Sequence, residues 1–107
     1  MSNLCKVLTS APDITVALEG KVDASNYELI QEETLNLISE QKAETFTFDV
    51  NDVSYVSSAG LRMFSAINKA CKANGLSYKL VGLRPDIMKM FQLTGYASVF
   101  KIEIKEE

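Results

Sequence analysis

The residues with the most chemical potential in this chain are serines, and they stand without the partners that would make them nucleophiles. Histidine is absent from all 107 positions, which removes the commonest general base and the commonest metal ligand together. Ser-His-Asp, Cys-His and His-metal chemistries are therefore excluded. No glycine-rich phosphate loop of the Walker or dinucleotide type occurs either. Catalysis is not expected, and neither a metal site nor a cofactor is implied. The densest run of unusual residues is Asp49-Val50-Asn51-Asp52-Val53-Ser54-Tyr55-Val56-Ser57-Ser58-Ala59-Gly60-Leu61, where β-type alternation gives way to a helical period. A serine there meets the free amides of a helix entrance. Read from its position, Ser58 is an N-cap worth about 1 kcal/mol. Gly60 lets the helix approach the sheet closely.

The elements that must position this stretch follow from periodicity. Residues 4–9 and 14–19 are short β-rich runs around Ser10-Ala11-Pro12-Asp13, a turn cluster, and form a hairpin in which Gly20 ends the second strand. Tyr27, Ile30, Thr34, Leu37 and Ile38 share one side of a helix beginning near Ser25, opposite Glu28, Glu32, Glu33, Asn36 and Glu40, with Asp23 or Ser25 as its cap. Leu29 lies off the apolar side. Residues 45–50 alternate with period two and Asn51-Asp52 breaks the run. A second amphipathic helix carries Gly60, Phe64, Ile67 and Cys71 on one face and Arg62, Ser65, Lys69 and Lys72 on another, until Asn74-Gly75 stops it.

Residues 78–81 make a further strand. Pro85 and Asp86 suit the first turn of a third helix with Ile87, Met88 and Phe91 on one face, ended by Thr94-Gly95. Val99, Phe100, Ile102 and Ile104 close the chain as a strand, before a frayed Lys105-Glu106-Glu107 tail. The order β-β-α-β-α-β-α-β predicts an α/β fold, a mixed β-sheet with helices packed chiefly on one face. Val16, Leu18, Ile30, Leu37, Phe48, Val50, Phe64, Ile67, Leu80, Met88, Phe91 and Ile102 are its expected core. Cys5 and Cys71 are expected to be buried, unbridged thiols.

Charge narrows the partner classes. The net charge is −3, so affinity for nucleic acid through phosphate neutralisation is not expected. No apolar run approaches the roughly 20 residues that span a bilayer, so membrane insertion is not expected and a cytoplasmic setting is. Within that net charge, residues 1–52 hold ten acids against three bases and residues 53–107 hold four against eight. That split reads either as ordinary solvated helix faces or as a charge-complementary partner surface.

Gly20-Lys21-Val22-Asp23, Asp49-Val50 followed by Val56-Ser57-Ser58-Ala59-Gly60-Leu61-Arg62, and Met90-Phe91-Gln92-Leu93-Thr94-Gly95 together resemble a STAS domain, the anti-anti-sigma-factor fold of bacterial regulators. The resemblance spans nearly the whole chain and implies a single STAS domain over residues 1–107. It implies that Ser58, two residues before the glycine, is the acceptor of phosphate from a partner kinase. Many members carry aspartate before that serine where this chain has Ser57, which leaves Ser57 as the other candidate. The implied partner-binding set is Asp23, Ser57, Ser58, Ala59, Gly60, Leu61 and Arg62. The implied partners are an anti-sigma factor with serine-kinase activity, which the unphosphorylated domain binds so that a sigma factor is released, and a serine phosphatase that resets it. The alternative is a constitutive STAS-type subunit of a lipid-transport ATPase or a sensory complex.

Overall fold

Parallel strands joined by helices that each step one place in the same direction can be built only one way, because right-handed crossovers send every helix to the same face. A computed structural model describing residues 5–104 has this construction. β1 (Cys5–Thr9) and β2 (Asp13–Val22) form the antiparallel hairpin, with Val7 opposite Val16. β3 (Thr45–Val56), β4 (Ser77–Val81) and β5 (Lys101–Glu103) then add in parallel, so the spatial order β1-β2-β3-β4-β5 equals the order along the chain. α1 (Tyr27–Glu40), α2 (Ser58–Ala73) and α3 (Pro85–Leu93) are the crossovers. Leu4 and the Lys105-Glu106-Glu107 tail lie outside the described residues.

Period-two alternation divides the sheet. Ile14, Val16 and Leu18 of β2, Phe46, Phe48 and Val50 of β3, and Tyr78 and Leu80 of β4 are buried under the helices. Thr15, Thr45, Thr47, Ser77 and Lys79 line a hollow on the opposite, helix-free face. Aromatic rings fasten the layers: Phe48 meets Phe64 of α2 edge-on at 5.4 Å between ring centres, and Phe91 of α3 meets Phe100 at 6.1 Å. The Tyr78 hydroxyl donates to the Phe64 carbonyl at 3.1 Å. Both cysteines are buried and no disulfide joins them, and burial pushes the Cys71 thiol up to about 11.

Several expected boundaries move. Gly20 does not end β2. At φ +75° it sits between two register shifts while the strand runs on to Val22. Nor do Asn51 and Asp52 break β3, which continues to Val56 with Gly20 opposite Val53 and Val22 opposite Val56. Local turn preference loses here because each strand supplies the other's hydrogen-bond ladder and both valines of β3 are buried. α1 begins at Tyr27 rather than Ser25, and neither Asp23 nor Ser25 caps it. Asn26 holds the cap position without a side-chain cap bond.

β5 is only three residues long. Val99 and Ile104 are exposed, and a 3-10 turn at Tyr96–Ser98 delivers the buried Phe100 instead. Of the twelve expected core residues, Leu37, Met88 and Ile102 are only partly buried and the other nine are buried. Met90, two places on from Met88, packs against the core from α3.

Phe64 is fully buried and touches both Phe48 and Phe91. Phe64→Ala is expected to cost about 3–5 kcal/mol in urea unfolding. A loss under about 1 kcal/mol would mean that the helix layer does not depend on this ring.

Candidate functional site

The end of β3 is tied to the end of β2 before the chain turns into α2. Val22 and Val56 are ladder partners, and the next amide, Ser57 N–H, donates back to the Val22 carbonyl at 2.9 Å. Ser57 keeps an extended backbone (φ −86°, ψ 175°), and its Oγ accepts from the Gly60 amide at 3.2 Å. Ser57 is thus the N-cap of α2, and the cap expected of Ser58 belongs one residue earlier. Ser58 becomes the first helical residue. It is exposed, with its hydroxyl outside the capping bond.

The third residue of the helix has no room for a side chain. A Cβ on Gly60 would lie 2.7 Å from the Val22 carbonyl oxygen and 2.9 Å from Val56 Cγ1. Glycine is required here by close approach of helix to strand. Ala59 and Leu61 are buried as well, at 7% and 4% exposure. Of the expected partner-binding set, Ser58 and Arg62 are exposed, Asp23 and Ser57 are partly so, and Ala59, Gly60 and Leu61 form the seat beneath them. Arg62 stands four residues after Ser58 and so lies on the same side of the helix.

Asp23 follows Val22 directly, and the Val22–Ser57 hydrogen bond therefore brings its loop to the helix mouth. The Asp23 carboxylate accepts from the Ser25 hydroxyl at 2.6 Å and the Ser25 amide at 2.9 Å, while Asn26 Oδ1 accepts from the Asp23 amide at 3.0 Å. These donors, the Ser25 hydroxyl foremost, hold the Asp23 carboxyl below its ordinary range. Asp23 shapes a turn ahead of α1 instead of capping the helix.

Electrostatically, no acidic residue of α2 occupies its own first turn, and its leading amides point outward as the positive end of the helix. An anion on Ser58 would be held there by amides and dipole, with Arg62 one turn away. Among the described residues no group of three metal-ligating side chains comes together, and no helix is long and apolar enough to cross a membrane. What the arrangement can do is present an unactivated hydroxyl on a rigid mount and tolerate a negative charge placed on it.

Tyr55 adds an exposed aromatic ring at the end of β3. It is 49% exposed and lies opposite Lys21 in the β2–β3 ladder. The spacing of three between Val53 and Val56 conceals the strand that carries it.

Two stability measurements check this local construction. Ser57→Ala is expected to lose about 1 kcal/mol as the cap is removed, whereas Ser58→Ala should stay within about 0.5 kcal/mol of the parent; the opposite order would return the cap to Ser58. Gly60→Ala gains about 1 kcal/mol of helix propensity, yet its methyl meets a backbone oxygen that cannot swing away. A net loss of about 1–3 kcal/mol is expected, and an unchanged or raised midpoint would contradict the close approach.

The profile of the STAS domain family matches residues 6–107. The anti-sigma-B factor antagonist of Bacillus subtilis is 33% identical over 95 residues, covering 89% of this chain and 85% of that protein. The anti-sigma-B factor antagonist of Listeria monocytogenes is 24% identical over 90 residues, covering 84% and 78%. Among solved structures, an anti-sigma factor antagonist from Mycobacterium paratuberculosis superposes with a TM-score of 0.80 at 16% identity, over 92% of this chain and 83% of that one. The Bacillus cell fate determinant SpoIIAA in its phosphorylated form does so with a TM-score of 0.72 at 18% identity, over 96% and 90%. The structural likenesses establish a shared fold, and the family profile with the Bacillus relative goes further: the chain belongs to the STAS domain family and groups there with the anti-sigma factor antagonists.

Proposed function

We propose that this protein is an anti-sigma factor antagonist whose binding is switched by phosphorylation of Ser58. The observation that carries the reading is the division of labour at the helix mouth. Ser57 spends its hydroxyl on the cap, and Ser58 is left exposed at the first position of a helix whose first turn holds no acid. In the unmodified state the domain binds an anti-sigma factor with serine-kinase activity, which frees the sigma factor that the kinase otherwise holds. Phosphate transfer to Ser58 ends that complex, and a serine phosphatase restores it. The domain acts as ligand and substrate in the cytoplasm, without catalysis of its own, without direct contact to nucleic acid and without membrane insertion.

The physical basis of the switch lies in the interface. A phosphate adds about −1.5 to −2 charges. At this helix end the added charge meets amides and Arg62, so the fold accommodates it. A partner surface shaped for a neutral hydroxyl must instead desolvate a dianion. The Bacillus subtilis relative is named as an anti-sigma-B factor antagonist, and a fold neighbour is described in a phosphorylated form; both support this reading.

The test starts by capturing the partner kinase on immobilised, unmodified protein. Ser58→Ala should keep binding it and accept no phosphate, Ser57→Ala should still be phosphorylated, and Ser58→Asp should fold but bind at least about tenfold more weakly, or ~1.4 kcal/mol. If the kinase modifies Ser58→Ala at the parent rate and fails on Ser57→Ala, the acceptor is Ser57. Capture of a transporter ATPase in a stable, unmodified complex would favour a constitutive subunit instead.

A further inference from the structure

The unequal charge of the two halves of the chain concentrates in two neighbouring helices. α1 carries Glu28, Glu32, Glu33 and Glu40 and no cation, whereas α2 carries Arg62, Lys69 and Lys72 and no carboxylate. Glu28, Glu32 and Glu40 are exposed on α1, as are Arg62, Lys69 and Lys72 on α2. The two helices pack side by side on one face of the sheet and, as successive right-handed crossovers, run in the same direction. At 1.5 Å per residue the acidic stripe is about 18 Å long and the basic stripe about 15 Å. Over α1 and α2 the outer surface is an acidic stripe lying parallel to a basic stripe of similar length.

Such a surface is self-complementary. A two-fold axis running along the helices, between α1 and α2, sets the acidic stripe of one copy over the basic stripe of the other, twice over and in a closed arrangement. Both helices keep their direction under that rotation, so the Glu28 and Glu32 end faces Arg62, and Glu40 faces Lys69 and Lys72. An axis perpendicular to the helices within the interface leaves like stripes facing. Leu29, 43% exposed, lies on the acidic stripe and gains cover in the complementary arrangement.

We infer that this surface docks a second copy of the chain, forming a weak, salt-sensitive two-fold dimer through α1 and α2. Two helix faces bury less than the roughly 800 Å² per partner of a stable complex, and exposed ion pairs contribute little each. The dimer therefore belongs to the micromolar range or weaker. Because Ser58 lies on the same side of α2 as Arg62, the dimer also shields it; this consequence, unlike the dimer itself, rests on the proposed role of Ser58.

Sedimentation velocity on the full chain tests the inference. In about 50 mM salt the average mass should rise with concentration from one chain of 11.8 kDa towards two, and about 0.5 M salt should weaken association by at least about tenfold as the screening length shortens. Lys69→Glu with Lys72→Glu should be monomeric, as should Glu32→Lys with Glu40→Lys. An equimolar mixture of these two variants should recover a dimer, because each supplies the stripe the other has reversed. Circular dichroism establishes that both remain folded; should either unfold, Lys69→Gln with Lys72→Gln takes its place, with weakened association expected. A parent protein that stays monomeric up to about 1 mM in low salt overturns the inference, as does a dimer indifferent to salt and to these substitutions.

Discussion

The structure depends on one carbonyl oxygen. Val22 ends β2 by pairing with Val56, and its carbonyl then accepts from the Ser57 amide while Gly60 packs so close that a Cβ there would lie 2.7 Å from the oxygen. Three things are fastened at that point: the carboxyl ends of two parallel strands, the entry of α2, and the loop that begins with Asp23. A side chain on Gly60 would lever α2 off the strands. It would lengthen the hydrogen bond that the Ser57 amide donates to the Val22 carbonyl and tilt the helix whose Phe64 closes the core over Phe48. The rigidity of the candidate site and the packing of the helix layer are therefore one constraint seen from two sides.

That constraint explains how serine can stand at position 57. An N-cap needs an acceptor oxygen at the right distance from the first-turn amides, and serine and aspartate serve about equally well. Serine fills the role through the bond to the Gly60 amide but brings no charge. An aspartate at position 57 would set a carboxylate beside Ser58, whereas serine keeps the geometry of the helix mouth without that charge.

Strand order gives the charge split a spatial meaning. In a sheet whose strands are shuffled relative to sequence, acidic and basic halves of a chain intermingle. Here chain order and spatial order coincide, so the acidic half forms one flank of the molecule and the basic half the other. α1 and α2 meet at the border. The helix-free face of the sheet carries its own balance: Glu103 binds Lys79 at 3.0 Å and approaches Lys101 at 3.6 Å, and the Lys79 ammonium, donating to it, holds the Glu103 carboxyl below its ordinary range.

From sequence alone, the α/β class, the order of elements, nine of twelve core residues and the strand-to-helix change at Ser57-Ser58-Ala59-Gly60 were legible, since each rests on local period or composition. Phe46, Phe48 and Val50 announce a strand, and Gly60, Phe64, Ile67 and Cys71 a helix face, wherever the chain happens to be. The continuations of β2 past Gly20 and β3 past Asp52 were not legible, because the partner that holds each segment extended is the other segment, more than 30 residues away. The same holds for the cap. Ser57 and Ser58 are chemically equivalent until the Val22 carbonyl binds the Ser57 amide, and this long-range bond sets which hydroxyl turns inward to the helix and which stays exposed. Periodicity is a property of neighbours along the chain, whereas strand ends, caps and close approaches belong to neighbours in space, and only the folded sheet brings those together.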